Sequence, residues 1–165
     1  MLQDTATVET NGGALSFAKL DELIDLVTDK DGQVDYLMAS ARTVRSYFAL
    51  LRSLGGASIQ DTVQLPSGAS IPAYRGIPLL RNDYIPVDQT TGSLTTGTSM
   101  FAGTFDDGSE MHGIAGLTAA NSAGIVVEDV GASETKDERI TRVKWYVGLA
   151  NFSEKGLAVL TGLSN

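Results

Sequence analysis

Residues 36–56 read Tyr36-Leu37-Met38-Ala39-Ser40-Ala41-Arg42-Thr43-Val44-Arg45-Ser46-Tyr47-Phe48-Ala49-Leu50-Leu51-Arg52-Ser53-Leu54-Gly55-Gly56. Tyr36-Leu37-Met38 is a short apolar run between turn signals, the pattern of a buried strand. Ser40 stands where an N-cap hydroxyl accepts from a first-turn amide. Beyond it Val44, Tyr47, Phe48, Leu51 and Leu54 fall on one helical stripe, with Arg42, Arg45, Ala49 and Arg52 opposite. Gly55-Gly56 ends the pattern, because glycine enters the left-handed conformation that closes a helix. The stretch therefore predicts a strand followed by a helix over 41–54, and with it an α+β fold.

Upstream, Phe17, Leu20, Leu23, Ile24 and Val27 share one side at about 100° per residue. Ala18, Asp21, Glu22 and Asp25 take the other, and Ser16 is placed to cap. This predicts a helix over 17–28, ended by Asp29-Lys30-Asp31-Gly32. Residues 1–13 are polar and β-branched and close on Asn11-Gly12-Gly13, as an arm or edge strand would.

Downstream the grammar is that of strands. Residues 57–70 read as turns. Ile71–Tyr74 and Ile77–Leu80 read as two strands about a tight turn, and their prolines suggest edge positions. Residues 87–98, which include Thr90 and Thr95, form a polar low-complexity loop. Ser99–Phe105 is a strand turned by Asp106-Asp107-Gly108-Ser109. Residues 113–124 read as irregular, Ile125-Val126-Val127 as a strand, 131–138 as a charged loop and 153–163 as a turn or helical tail. Between them, Val143, Trp145, Val147 and Leu149 alternate with Arg142, Lys144, Tyr146, Gly148 and Ala150. A single strand over 139–152 would span roughly 45 Å at about 3.3 Å per residue. That length suggests pairing elsewhere, within a larger chain or with another copy.

The chain has 165 residues, no cysteine and one histidine, His112. Disulfide scaffolds, thiolate metal sites, cysteine nucleophiles and multi-histidine sites are excluded. A net charge of −8 opposes phosphate backbones and anionic lipid, so nucleic acid and membrane are not expected as main partners. No apolar run approaches the roughly 20 residues that cross a bilayer, and the N-terminus is neither basic nor apolar, so no signal peptide is expected. Glycine is high at 18 residues and charged residues low at 19%, against usual figures of about 7% and 25%, which suits a sheet-rich fold with many turns and equally a surface partly buried against other copies.

Catalytic patterns are thin. Ser16-Phe17-Ala18-Lys19 spells Ser-x-x-Lys, but its partner motifs are absent and Ser16 already serves as a cap. Asp106-Asp107 lacks the alternating carboxylate ladder of a calcium loop and reads as a solvated turn. His112, with Asp106, Asp107 or Glu110 nearby, is the one candidate base, the residue set on which a small α+β hydrolase or ligand-binding domain would rest. No metal or cofactor is expected. The arginine face of 41–54 is a solvated helix back, or an ion-pairing surface toward carboxylates such as Asp21, Glu22 and Asp25 of a neighbouring copy.

Four segments in order resemble the C-terminal part of tailed-phage major capsid proteins with the HK97-type shell fold. They are Gly12–Val27, Asp35–Arg45, Tyr74–Pro86 (Tyr-Arg-Gly-Ile-Pro-Leu-Leu-Arg-Asn-Asp-Tyr-Ile-Pro) and Thr141–Ala150. The resemblance implies an axial domain with helices on a mixed sheet over 14–125, and a returning peripheral-domain strand and tail over 126–165. It implies a structural subunit of a virion capsid, made in the host cytoplasm, whose partners are copies of itself in pentamers and hexamers. Other capsid or scaffolding proteins are implied as further partners, with packaged DNA touched only weakly and non-specifically. An encapsulin-like compartment shell is the alternative within the same fold. Family members begin with an arm, an extended loop and a spine helix, and none fits in 1–13, so the resemblance implies a fragment or reduced relative. Candidate contacts between copies are Arg42, Arg45, Arg52, Asp21, Asp25, Thr90, Thr95 and Trp145, with no catalytic residue.

Overall fold

The computed structural model describes residues 6–9, 13–29, 32–55, 61–91, 94–108, 113–119, 124–153 and 156–164. The chain forms two compact units, one of residues 1–114 with 151–165 and one of residues 115–150. The resemblance divides the chain instead at 125/126.

In the first unit, helix α1 (Phe17–Thr28) starts where Ser16 Oγ accepts from the Lys19 amide at 3.4 Å. Leu20, Leu23, Ile24 and Val27 are its buried stripe. Helix α2 (Ala41–Ser53) starts in the same way, with Ser40 Oγ accepting from the Thr43 amide. Gly55, at φ +115, follows its end. Its buried line is Thr43, Tyr47 and Leu51, with Val44 and Phe48 partly buried and Leu54 exposed. Both predicted helices stand within a residue of their expected bounds, because cap and stripe mark the same ends.

The helices pack on a mixed sheet built from β1 (Ala6–Glu9), β2 (Tyr36–Ala39), β3 (Asp61–Gln64), β4 (Ser70–Tyr74), β5 (Ile77–Arg81), β6 (Gln89–Thr91), β7 (Leu94–Gly103) and β12 (Leu157–Leu163). The spatial order is β1-β12-β7-β2-β5-β4-β3, with β6 also on β7. β1 runs parallel to β12 and β2 parallel to β5; the other ladders are antiparallel. Leu37, Ala39, Met100, Ala102, Ala158, Leu160 and Leu163 bring the strands into one core with the helix stripes. Phe17, Tyr47 and Tyr74 form an aromatic cluster, centroids 5.7 to 6.3 Å apart. The Tyr47 hydroxyl donates to the Ala73 carbonyl at 2.7 Å, which pins α2 to β4.

Several sequence expectations change here. Residues 157–163, read as a tail, form a strand between β1 and β7; its burial alternates through Ala158, Leu160 and Gly162, but partly buried Leu157 and Val159 on the other side are apolar too, so the sequence shows no period. The 87–98 loop is the β6–β7 hairpin, so Thr90 and Thr95 sit on strands. Residues 57–70 contain β3. The prolines do not mark edges, since β4 and β5 both have neighbours on each side. Pro78 is tolerated because the β2 ladder begins one residue later, at Leu79. The tight turn is as expected: Arg75 and Gly76 both have positive φ, as a two-residue hairpin turn requires.

The second unit is a ribbon. β8 (Ile114–Thr118) pairs with β11 (Val147–Asn151), and β9 (Val126–Ala132) runs antiparallel to β10 (Arg139–Lys144). The strand predicted over 139–152 is thus divided at Trp145-Tyr146, and its pairing partners are in its own chain. Residues 113–124, read as irregular, contain β8. Among the described residues, every buried apolar side chain belongs to the first unit and none to 115–150.

Candidate assembly surfaces

The polar face of α2 is partly spent inside the chain. Arg42 donates from its guanidinium to the Thr96 carbonyl at 2.6 Å, tying α2 to β7. Its Nε is buried without a hydrogen-bond partner. Arg45 and Arg52 are exposed. On α1, the Asp21 carboxylate accepts from the Tyr74 hydroxyl at 2.8 Å and from Arg75 at 3.2 Å, so it clamps α1 to the β4–β5 turn. Asp25, Thr90 and Thr95 are exposed. The arginines and carboxylates named from sequence therefore divide into a locking pair of contacts, at Arg42 and Asp21, and open positions at Arg45, Arg52 and Asp25.

Burial first, and then the bond to Asp21, push the Tyr74 phenol up to about 12. The folded protein thus holds Tyr74 neutral more firmly than an unfolded chain, whose tyrosines ionise near 10. Its contribution to stability is whole below about pH 10 and is lost as pH rises through about 12. An absorbance titration, differenced against Tyr74→Phe, is expected to show this tyrosine ionising near 12, and Asp21→Asn to bring it down. An ordinary midpoint in the unaltered protein would contradict the clamp.

The hydrolase reading finds little to stand on. Ser16 Oγ serves as the α1 cap, and the Lys19 ammonium donates to the Ala14 carbonyl at 2.7 Å rather than to that hydroxyl. Asp106 Oδ1 accepts from the Gly108 amide, the bond of a local turn. Glu110 and His112 lie outside the described residues. Among the described residues, no three histidine, aspartate or glutamate side chains gather as a metal site.

Two further surfaces stand out, of which the sequence pointed to only one, through Trp145 and the 139–152 pattern. One is Tyr84, 95% exposed on a loop that is otherwise fixed. Arg81 grips Asp83 through two bonds, at 2.7 and 2.9 Å, and Asn82 Oδ1 accepts from the Tyr84 amide. Ile85 is buried and the Pro86 carbonyl accepts from Thr98. A rigid loop presenting an aromatic ring is the build of a contact anchor. Nothing local in the sequence marks Tyr84 as the side chain this loop displays.

The other is the ribbon. Val127 stands directly across from Val143, and these side chains are 65% and 66% exposed. The next pair, Glu128 and Arg142, points to the opposite face, where Glu128 also meets Lys144. Hydrogen bonding to the Lys144 ammonium, then its charge, lowers the Glu128 pKa below the usual carboxylate range. Arg139 pairs with Asp129. Farther along, Trp145 is 60% and Leu149 80% exposed.

Comparison with known proteins agrees with this architecture. The family model described as type 2A encapsulin shell protein SrpI-like matches residues 2–163. The holo-SrpI encapsulin complex of Synechococcus elongatus PCC 7942 has a chain similar to this one at 24% identity, with a TM-score of 0.75 over 97% of this chain. The match covers 55% of that chain, so the present sequence spans about half the length of this relative. A structure from Mycobacterium phage Ogopogo is similar at 15% identity and a TM-score of 0.45, over 93% of this chain and 54% of that one. A search of curated proteins finds no match. With two helices on a mixed sheet and a family match across nearly all its residues, the chain has the HK97-type capsid-like fold and belongs to the SrpI-like type 2A encapsulin shell proteins.

Proposed function

We propose that this chain is a subunit of an encapsulin-type compartment, self-associating into a closed icosahedral shell around cargo protein in the cytoplasm. The observation that carries the reading is the shell-protein family match over residues 2–163. The physical features support it. Ser16 and Asp106 are committed to a cap and a turn, while many of the exposed large apolar side chains lie between Ile125 and Leu149. In this reading the subunit works by repeated contact, and no bond is made or broken. Pentameric rings, and hexameric ones in larger shells, are its building units. Multiplicity makes the lattice stable where a single contact is weak. The phage-capsid version of the resemblance gives way to the compartment version, because the matched family is one of compartment shells.

The test is mass measurement with negative-stain microscopy on the purified chain, whose subunit is 17.4 kDa. Rings, tubes or closed shells of many subunits are expected. A monomer at every concentration up to roughly 100 μM overturns the reading, since interfaces of standard size bind more tightly than that.

A further inference from the structure

We propose that Met38 is an oxidation site, and that its conversion to the sulfoxide by a peroxide unlatches the loop that displays Tyr84. The inference is independent of the shell reading.

The four methionines carry the chain's only sulfur atoms, since it has no cysteine. Two of them, Met38 and Met100, lie among the described residues, on the paired strands β2 and β7. They face opposite ways. Met100, across from Ala39, belongs to the core with the helix stripes and is 1% exposed. Met38 alternates with the buried core residues Leu37 and Ala39, so it takes the other face of the sheet, where it is partly exposed. Its register neighbours there, Leu80 and Phe101, are partly exposed as well. A small oxidant therefore reaches the Met38 sulfur and is kept from that of Met100.

Met38 is set apart by what its sulfur holds. Asn82 donates from Nδ2 to Met38 Sδ at 3.1 Å. The same carboxamide accepts at Oδ1 from the Tyr84 amide at 2.9 Å, and the Asn82 backbone amide donates to the Ala39 carbonyl at 2.9 Å. Asn82 is thus a latch between β2 and the Tyr84 loop, with the thioether as one of its catches.

The reaction is closed with hydrogen peroxide as the oxidant. A sulfur lone pair attacks one peroxide oxygen, a sulfur–oxygen bond forms and the oxygen–oxygen bond breaks. The departing hydroxide takes the proton of the transferred hydroxyl and leaves as water, so the thioether is oxidised and the peroxide reduced. Either lone pair leads to the same end. Oxygen added toward Asn82 falls between atoms already 3.1 Å apart, and the carboxamide must withdraw. Oxygen added on the other side leaves the sulfur positively polarised, and it ceases to accept. The thioether was a weak acceptor on an apolar side chain, and the sulfoxide is polar and draws water to itself. With the Nδ2–Sδ bond gone, nothing on β2 orients Oδ1 toward the Tyr84 amide. Reductases return the sulfoxide to the thioether, so the latch can reset.

The test treats the unaltered protein with graded hydrogen peroxide and maps the methionines by mass spectrometry. Met38 is expected to gain its oxygen roughly tenfold faster than Met100, or more. At a dose that oxidises Met38 and spares Met100, hydrogen exchange at the Asn82 and Tyr84 amides should quicken by roughly tenfold, with circular dichroism unchanged. Met38→Leu keeps an apolar side chain without the sulfur, and its loop amides should not respond to peroxide. Equal rates at Met38 and Met100 overturn the inference. So does an oxidised protein whose loop exchanges as before, or a peroxide response that persists in Met38→Leu. Loss of the circular dichroism signal at the same dose overturns it too, because unfolding would then have freed the loop.

Discussion

Gly113→Ala is expected to cost about 2–5 kcal/mol, joining a left-handed backbone penalty of about 1–2 to an overpacking penalty of about 1–3. Gly113 has φ +81, where a side chain is strained whatever the space. Space is also lacking. A Cβ there would lie 2.5 Å from the Thr104 carbonyl oxygen and 2.9 Å from the Phe105 carbonyl carbon. Both are backbone atoms that cannot swing aside. The Thr104 carbonyl accepts from the Ile114 amide at 2.8 Å, and the Gly113 carbonyl accepts from the Phe152 amide at 2.9 Å. Gly156 closes the third side: a Cβ on it would sit 3.1 Å from Gly113 Cα. Three passes of the chain therefore meet backbone to backbone at the end of β7. Urea unfolding followed by circular dichroism should show the midpoint falling by at least about 1 M with an unchanged slope. A midpoint within error of the parent would mean that these passes are free to part.

Leu160→Ala should be comparably damaging, at about 2–5 kcal/mol, because the site is fully buried and cannot collapse. Leu160 sits on β12 between two ladders, across from Val8 of β1 and Met100 of β7. It shares the core with the α1 stripe, and α1 packs on β12 and β7. Truncation would open a void where helix and sheet meet. Leu160→Met, which conserves volume, is expected to stay within about 1.5 kcal/mol. The pair of denaturation curves separates packing from any general intolerance at this strand. Equal losses for Ala and Met would rule out the cavity account.

The parts of this fold that announce themselves in the sequence are those whose signals are local. Ser16 and Ser40 cap the helices they were expected to cap, and the apolar stripes behind them face the core, with the exception of Leu54. The Arg75-Gly76 turn is legible for the same reason, being set by adjacent residues. Elements decided by distant partners are not. Leu157–Leu163 buries every second residue, yet Leu157 and Val159 on its less buried side are apolar as well, and its partners are Ala6–Glu9 and Leu94–Gly103, far away in the chain. The alternation about Val143 was visible, but its partner Val127 lay in what looked like a separate short strand, so a paired ribbon read as one long strand pairing elsewhere, within a larger chain or with another copy. Among the contact candidates, Asp21 and Arg42 looked like free charges, since nothing local reveals that Tyr74, Arg75 and the Thr96 carbonyl close on them. Tyr84 went unremarked because exposure is a property of the fold.

The position of β12 bears on how the molecule is made. During translation the α1 helix, the hairpins and β7 all leave the ribosome before residues 157–163 exist, yet α1 rests on the strand those residues form. Until that strand is made, Leu20, Leu23 and Val27 have no complete floor, and Ala6–Glu9 lacks its β12 neighbour. A nascent chain thus carries sticky surface until residues 157–163 emerge, at a synthesis rate of about 5–20 residues per second. Closure of the sheet waits for residues 157–163, and a product stalled before them is a substrate for chaperones and proteases.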